Sequence, residues 1–160
     1  MQRAQALWAE HASAVARALL CYERDADLRQ DLAQDVFLAM LASLERIDSA
    51  DRPKAYLLRI AHNVATDHVG KEARHRWVAL DDRIEDPRHD PAEAAQAAGE
   101  RGRLLDALRQ LGLPYRQVMA LALEGLDHAE IADSLGISQG TVRVRYFRAK
   151  ERLKELLDHA

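Results

Sequence analysis

The chain has 160 residues, with 23 Lys and Arg against 26 Asp and Glu, for a formal net charge of −3. One cysteine, Cys21, excludes an internal disulfide and a cysteine-based zinc site, and suits a reducing cytoplasm. No leader pattern opens the chain, and no apolar run approaches the roughly 18–20 residues a bilayer span needs, so membrane insertion is not expected.

Ala, Leu, Arg, Glu and Asp dominate, while aromatic residues make up 5%. That composition predicts an all-α fold. Three zones separate by pattern, and they predict two small helical domains joined by an acidic flexible linker: 1–78, 79–102 and 103–160.

The first zone reads as successive helices. Leu7, His11, Val15, Ala18 and Leu19 recur at helical spacing, and Glu23–Asp27 interrupts them. Leu28, Leu32, Val36, Met40 and Leu44 then follow at intervals of four, predicting one helix with one apolar stripe. The stretch 47–53 breaks it, and Pro53 suits the first turn of the next helix. Tyr56, Leu57, Ile60, Val64 and Val69 are the expected buried side of that helix.

The second zone carries Asp81, Asp82, Glu85, Asp86, Asp90 and Glu93 with Pro87 and Pro91, and shows no sustained apolar period. It reads as a solvated linker, with a short helix over 91–98 capped by Asp90.

In the third zone, Leu104, Leu105, Leu108 and Leu111 predict a helix stopped by Gly112, and Pro114 opens another through Val118, Met119, Leu121 and Ala122. Asp127 with Glu130 three residues on has the form of a capping box. The helix it starts should end at Gly136, and Ser138 should cap a last helix running to about Leu157.

Residues 128–142 have the spacing of a helix-turn-helix. Ala132 is small where two helices cross, Gly136 supplies a left-handed turn residue, and Ile137 plugs the turn. On the last helix, Val142, Tyr146, Ala149 and Leu153 are spaced to face inward, while Gln139, Arg143 and Phe147 share another face beside Val144 and Arg148. Arg143, Arg145, Arg148, Lys150, Arg152 and Lys154 stand against Glu151 and Glu155. Arginine suits bidentate contact with guanine in the major groove, and the other cations suit phosphates. A solvated amphipathic helix would account for the charges, but not for the Gly-Ile-Ser turn before them.

No catalytic constellation is visible: no phosphate-cradling glycine loop, no nucleophile elbow, no metal-spaced His/Cys/Asp cluster. His62, His68 and His75 do not share one helix face, and the seven histidines read as surface residues. Cys21 reads as a packed small hydrophobe near a helix end, and Trp8, Phe37 and Trp77 as packing residues.

The segments 125–132 and 140–149 resemble the −35-reading domain of bacterial RNA polymerase sigma factors. Asp31-Leu32-Ala33-Gln34-Asp35-Val36-Phe37 is similar to the motif by which those factors grip the polymerase, and Ala55–Asn63 with Asp67 resembles their −10-reading helix. Two domains with an acidic connection are the layout of the extracytoplasmic function (ECF) group. The resemblance implies an alternative sigma factor: a specificity subunit without chemistry of its own, cofactor or small-molecule substrate.

It further implies three sets of contacts. Asp31, Gln34, Asp35 and Leu38 would meet the clamp helices of the polymerase β′ subunit, although a solvated polar face explains them too. Asp48, Ser49, Arg52, Arg59, Asn63, Lys71 and Arg74 would serve the −10 element; Asn63 could read a base edge or satisfy local backbone. The base-capturing loop of the family corresponds to Ile47–Arg52, which has no aromatic to stack on a base. Gln139, Thr141, Arg143, Val144, Arg145, Phe147 and Arg148 would serve the −35 element. Val144 stands where many members carry a small polar residue, so the preferred −35 sequence does not transfer from relatives. The linker would thread toward the RNA exit path or act as a plain tether. Implied partners are the polymerase core (β′ clamp helices and β flap), promoter DNA and an anti-sigma factor.

Overall fold

A computed structural model describes residues 1–72, 84–86 and 89–159. Among these the regular structure is helical, apart from one antiparallel bridge between Glu85 and Leu111. The chain divides into two compact units, Met1–Val69 and Gly70–Ala160.

The first unit contains α1 (Gln2–Leu20), α2 (Ala26–Ala42), α3 (Leu44–Asp48) and most of α4 (Pro53–Glu72). Ala4, Leu7, Ala14, Val15, Ala18 and Leu19 make the inner face of α1, and Leu32, Val36 and Met40 that of α2. The Asp25 carboxylate caps α2, accepting from the amides of Asp27 and Leu28 at 2.9 and 3.0 Å. Intervals of four over-rotate by about 40° per step on a helix of 3.6 residues per turn. The expected stripe therefore drifts: Leu28 is exposed, and α2 ends at Ala42, so Leu44 belongs to α3 rather than to the helix expected to run through it. Trp8 meets Phe37 edge to face at 5.3 Å.

On α4, Leu57, Ile60 and Val69 are buried as expected, while Tyr56 and Val64 are half-buried. Leu58, Ala61, Ala65 and His62 are buried with them. The expectation of surface histidines fails at His62, which is wholly buried and hydrogen-bonded through Nδ1 to Tyr22 Oη at 2.6 Å. Six residues on, His68 Nε2 lies 2.7 Å from Glu23 Oε1. Tyr22 and Glu23, in the turn after α1, thus each supply one hydrogen-bond partner to a histidine of α4. Cys21 is buried at the end of α1.

The second unit contains α5 (Pro91–Gln96), α6 (Gly99–Gln110), α7 (Leu113–Leu123), α8 (His128–Leu135) and α9 (Gln139–Asp158). Asp90 accepts from the Ala92 amide at 2.9 Å, the cap expected for α5. The core joins Leu108, Leu111, Leu113, Tyr115, Val118, Met119 and Leu121 to Ile131, Val142, Ala149 and Leu153.

Part of the stretch expected to be a solvated linker is built into this unit. The Asp86 amide donates to Gln110 O at 2.7 Å, and the Gly112 amide to Ile84 O at 2.9 Å. The Asp86 carboxylate pairs with Arg116 at 2.8 Å, both side chains being under 10% exposed. Arg116 also donates to Leu111 O from Nε and Nη2 and to Arg109 O from Nη2. Glu85 pairs with Arg152 on α9. A run of acids is unable to bury a core by itself, but one of them enters a core that already holds an arginine.

Candidate nucleic-acid interface

The helix-turn-helix follows from local chemistry. Asp127 accepts from the Glu130 amide at 2.8 Å while the Glu130 carboxylate accepts from the Asp127 amide at 3.0 Å, closing the capping box that starts α8. Gly136 ends α8 at φ +68°, in the left-handed region that favours glycine. The chain then turns so that the Ile137 amide reaches Ala132 O at 3.1 Å. Ser138 Oγ accepts from the Thr141 amide at 3.1 Å and starts α9.

Ile131, Ala132, Val142, Ala149 and Leu153 are the buried residues of these two helices. Leu135 and Ile137, expected inside, are half-buried at the turn. Tyr146 is half-buried against the His128 ring at 5.2 Å.

That packing leaves one face of α9 to solvent. Gln139, Arg143, Val144, Phe147 and Arg148 are exposed, with Val144 and Phe147 at 55% and 63%. Thr141 and Arg145 are half-buried, and the Thr141 hydroxyl is 2.9 Å from Ser138 Oγ. Charge is graded along the helix. Residues 139–150 hold Arg143, Arg145, Arg148 and Lys150 and no acid. Farther on, Arg152 pairs with Glu85 and Glu155, and Lys154 lies 3.9 Å from Glu151. The half of α9 nearest the turn is thus the positive, apolar-studded surface that a major groove accepts.

In the first unit, Asn63 is exposed on α4, and Arg59 one turn before it lies over the Tyr56 ring, 4.7 Å from the centroid. These three share a face, although Tyr56 was expected in the core. Arg52 is exposed just before α4. The stretch expected to be a loop from Ile47 is shorter, because Ile47 and Asp48 close α3 and Ile47 is wholly buried. Asp48 pairs with Arg3 at 2.7 Å, and the Ser49 hydroxyl donates to Glu45 O and Arg46 O at 3.0 and 3.2 Å. Arg74 lies outside the described residues, as do Trp77, His75 and the Lys71 side chain. On α2, Asp31, Gln34, Asp35 and Leu38 are exposed at i, i+3, i+4 and i+7, one face, with Leu38 at 61%.

Two features escaped sequence reasoning. Tyr115 Oη accepts from Arg148 Nη1 at 3.1 Å, joining α7 to the exposed face of α9. Arg116, a cation among apolar residues in Leu-Pro-Tyr-Arg-Gln-Val-Met, was the available signal for the buried Asp86 pair. Among the described residues, no group of three His, Cys, Asp or Glu is placed to hold a metal, and no helix is long and apolar enough to cross a membrane.

Residues 7–75 match the family model of Sigma-70 region 2, and residues 101–153 that of Sigma-70, region 4. RNA polymerase sigma factor CarQ of Myxococcus xanthus is 36% identical over 158 residues, covering 94% of this chain and 87% of CarQ. The chain belongs to the sigma-70 family. ECF RNA polymerase sigma factor SigL of Mycobacterium tuberculosis, 31% identical with 94% of this chain and 86% of SigL covered, agrees with an ECF sigma factor. CnrH, solved in complex with the cytosolic domain of CnrY, superposes with a TM-score of 0.70 at 29% identity, covering 99% of this sigma factor and 90% of CnrH. The sigma factor RpoE of Bartonella quintana, solved with the anti-sigma factor NepR, shares the fold: TM-score 0.72, 24% identity, 96% and 95% covered. The acid-free half of α9 lies within the region 4 match, and Asn63 and Arg59 within the region 2 match.

Proposed function

We propose that this ECF sigma factor binds core RNA polymerase and directs it to promoters by reading a −35 element with α9 and the melted −10 strand with α4. The observation that carries this reading is the solvent face of α9. A capped turn presents Gln139, Arg143, Val144 and Phe147 outward on a segment with four cations and no acid. Arg143 reads base edges, Val144 and Phe147 offer apolar contact, and Thr141, Arg145 and Arg148 complete the −35 surface.

Asn63 reads the melted strand, with Arg59 and Arg52 and the basic residues Lys71 and Arg74 on its backbone and Asp48 and Ser49 at the edge of the preceding turn. Asp31, Gln34, Asp35 and Leu38 form the surface for the β′ clamp helices, and the C-terminal module meets the β flap. The working modules are 1–78 and 103–160. The connection 79–102 is partly fixed, since Ile84–Asp86 is bonded to the second module.

The protein acts by binding and positioning, without chemistry of its own, in the cytoplasm. Control by an anti-sigma factor is supported by RpoE, whose solved structure is a complex with the anti-sigma factor NepR. Mapping 5′ transcript ends after overexpression yields the promoter. Added to core polymerase, the protein then gives specific starts there and none when the −35 element is scrambled. Polymerase binding without promoter-dependent starts would sink the reading.

A further inference from the structure

Arg148 differs from its neighbours on the exposed face of α9 in being tied back to the core. Its Nη1 donates to Tyr115 Oη at 3.1 Å, and Tyr115 is 1% exposed. The phenol is itself held: Tyr115 follows Pro114 in the first turn of α7, its amide donates to Gly112 O at 3.1 Å, and the adjacent Arg116 is locked to Asp86. A buried ring so fixed presets the guanidinium it holds before any ligand arrives. Pre-orientation of a long side chain removes much of the rotamer entropy that binding would otherwise cost.

Arg148 is the tenth residue of α9, about 14 Å along the axis from the end that enters a groove. Arg143, five residues nearer that end, has the position for base edges. A guanidinium drawn back toward α7 stands at the groove's rim, where the phosphates lie.

We propose that Tyr115 is a positioning residue: it holds Arg148 for a backbone phosphate of the −35 DNA, while sequence is read elsewhere on α9. This rests on the −35 reading of α9 given above.

The test uses the holoenzyme on two promoter duplexes that differ only in an intact or scrambled −35 element. Tyr115→Phe keeps the ring and removes the acceptor; it should weaken binding to both duplexes by roughly three- to tenfold, the range of one typical net hydrogen bond, because the phenol acts on DNA only through Arg148. Arg148→Ala should weaken both by a similar factor and lower the slope of log affinity against log salt by about one. In the Arg148→Ala background, Tyr115→Phe should add nothing, whereas damage to folding would persist there; thermal unfolding of each variant checks this directly. The proposal is overturned if Tyr115→Phe leaves affinity unchanged, or weakens binding equally with and without Arg148. Loss confined to the intact element in Arg148→Ala also overturns it, by making Arg148 a base reader. A holoenzyme that does not distinguish the two duplexes before any substitution removes the −35 reading itself, and this proposal with it.

Discussion

Arg116 is 3% exposed in the core of the second unit and donates to Asp86, Leu111 O and Arg109 O. A buried pair adds little net stability relative to apolar packing, but removing one partner strands a charge in low dielectric. Asp86→Ala should therefore cost about 3–5 kcal/mol of stability, measured by chemical denaturation; a loss within experimental error would mean that water reaches Arg116. Arg143 is the opposite case, an exposed cation whose value is realised only against DNA. Arg143→Ala should cost on the order of 1–3 kcal/mol at a cognate −35 element and leave thermal stability unchanged. Equal weakening on every DNA sequence would make it a phosphate contact instead. The contrast explains which arginines were legible. Arg143 stands on a helix face that spacing alone defines, whereas the fate of Arg116 depends on Asp86, thirty residues earlier in a stretch whose composition reads as solvent-exposed.

Caps and turns decide the elements around the DNA-reading helix. The side chains that start α8 and α9, Asp127 and Ser138, each accept an amide hydrogen bond three residues on. Asp127→Ala should destabilise the second unit by about 0.5–2 kcal/mol. At Gly136 no atom lies within 4 Å of an added Cβ, so the penalty of Gly136→Ala comes from backbone alone. At φ +68° that penalty is about 1–2 kcal/mol. Urea titrations of both variants, read against the unsubstituted protein, check the pair; a Gly136→Ala chain as stable as its parent would show that the turn relaxes out of the left-handed region. These features were legible because a cap and a left-handed turn involve residues within four positions of each other. The boundary between α2 and α3 was not. A spacing of four looks like one stripe in sequence, but its rotation carries Leu28 off the core, and Leu44 falls in the next helix.

At the scale of the molecule, a net charge of −3 coexists with a positive half-helix, because the acids of α9 lie in its far half and Glu85 is drawn onto Arg152. What meets DNA is local potential, so the average is a poor guide to the partner. Two reading units on one chain, held by one polymerase, make promoter spacing a constraint in its own right. Inserting about five base pairs, roughly half a helical turn, between the −35 and −10 elements turns the first away from its reader. Transcript yield in a reconstituted assay should drop on the order of tenfold or more, the equivalent of about 1.4 kcal/mol or above; initiation indifferent to spacing would mean that one element suffices.

Sequence alone determined the all-α class, the two-unit layout, the helix-turn-helix with its caps, and which face of α9 meets solvent. Each rests on periodicity or on hydrogen bonds between near neighbours, and both are written in local order. Only the tertiary structure decided that His62 is buried on Tyr22, that Tyr115 holds Arg148, and that Asp86 leaves the acidic stretch for Arg116. Those contacts join residues 40, 33 and 30 positions apart. A buried polar group takes whichever partner the packed helices bring to it, and that choice is made in space after the helices have formed. The last helix keeps its place at the centre of the function, now with one of its arginines steadied from beneath by a tyrosine of α7.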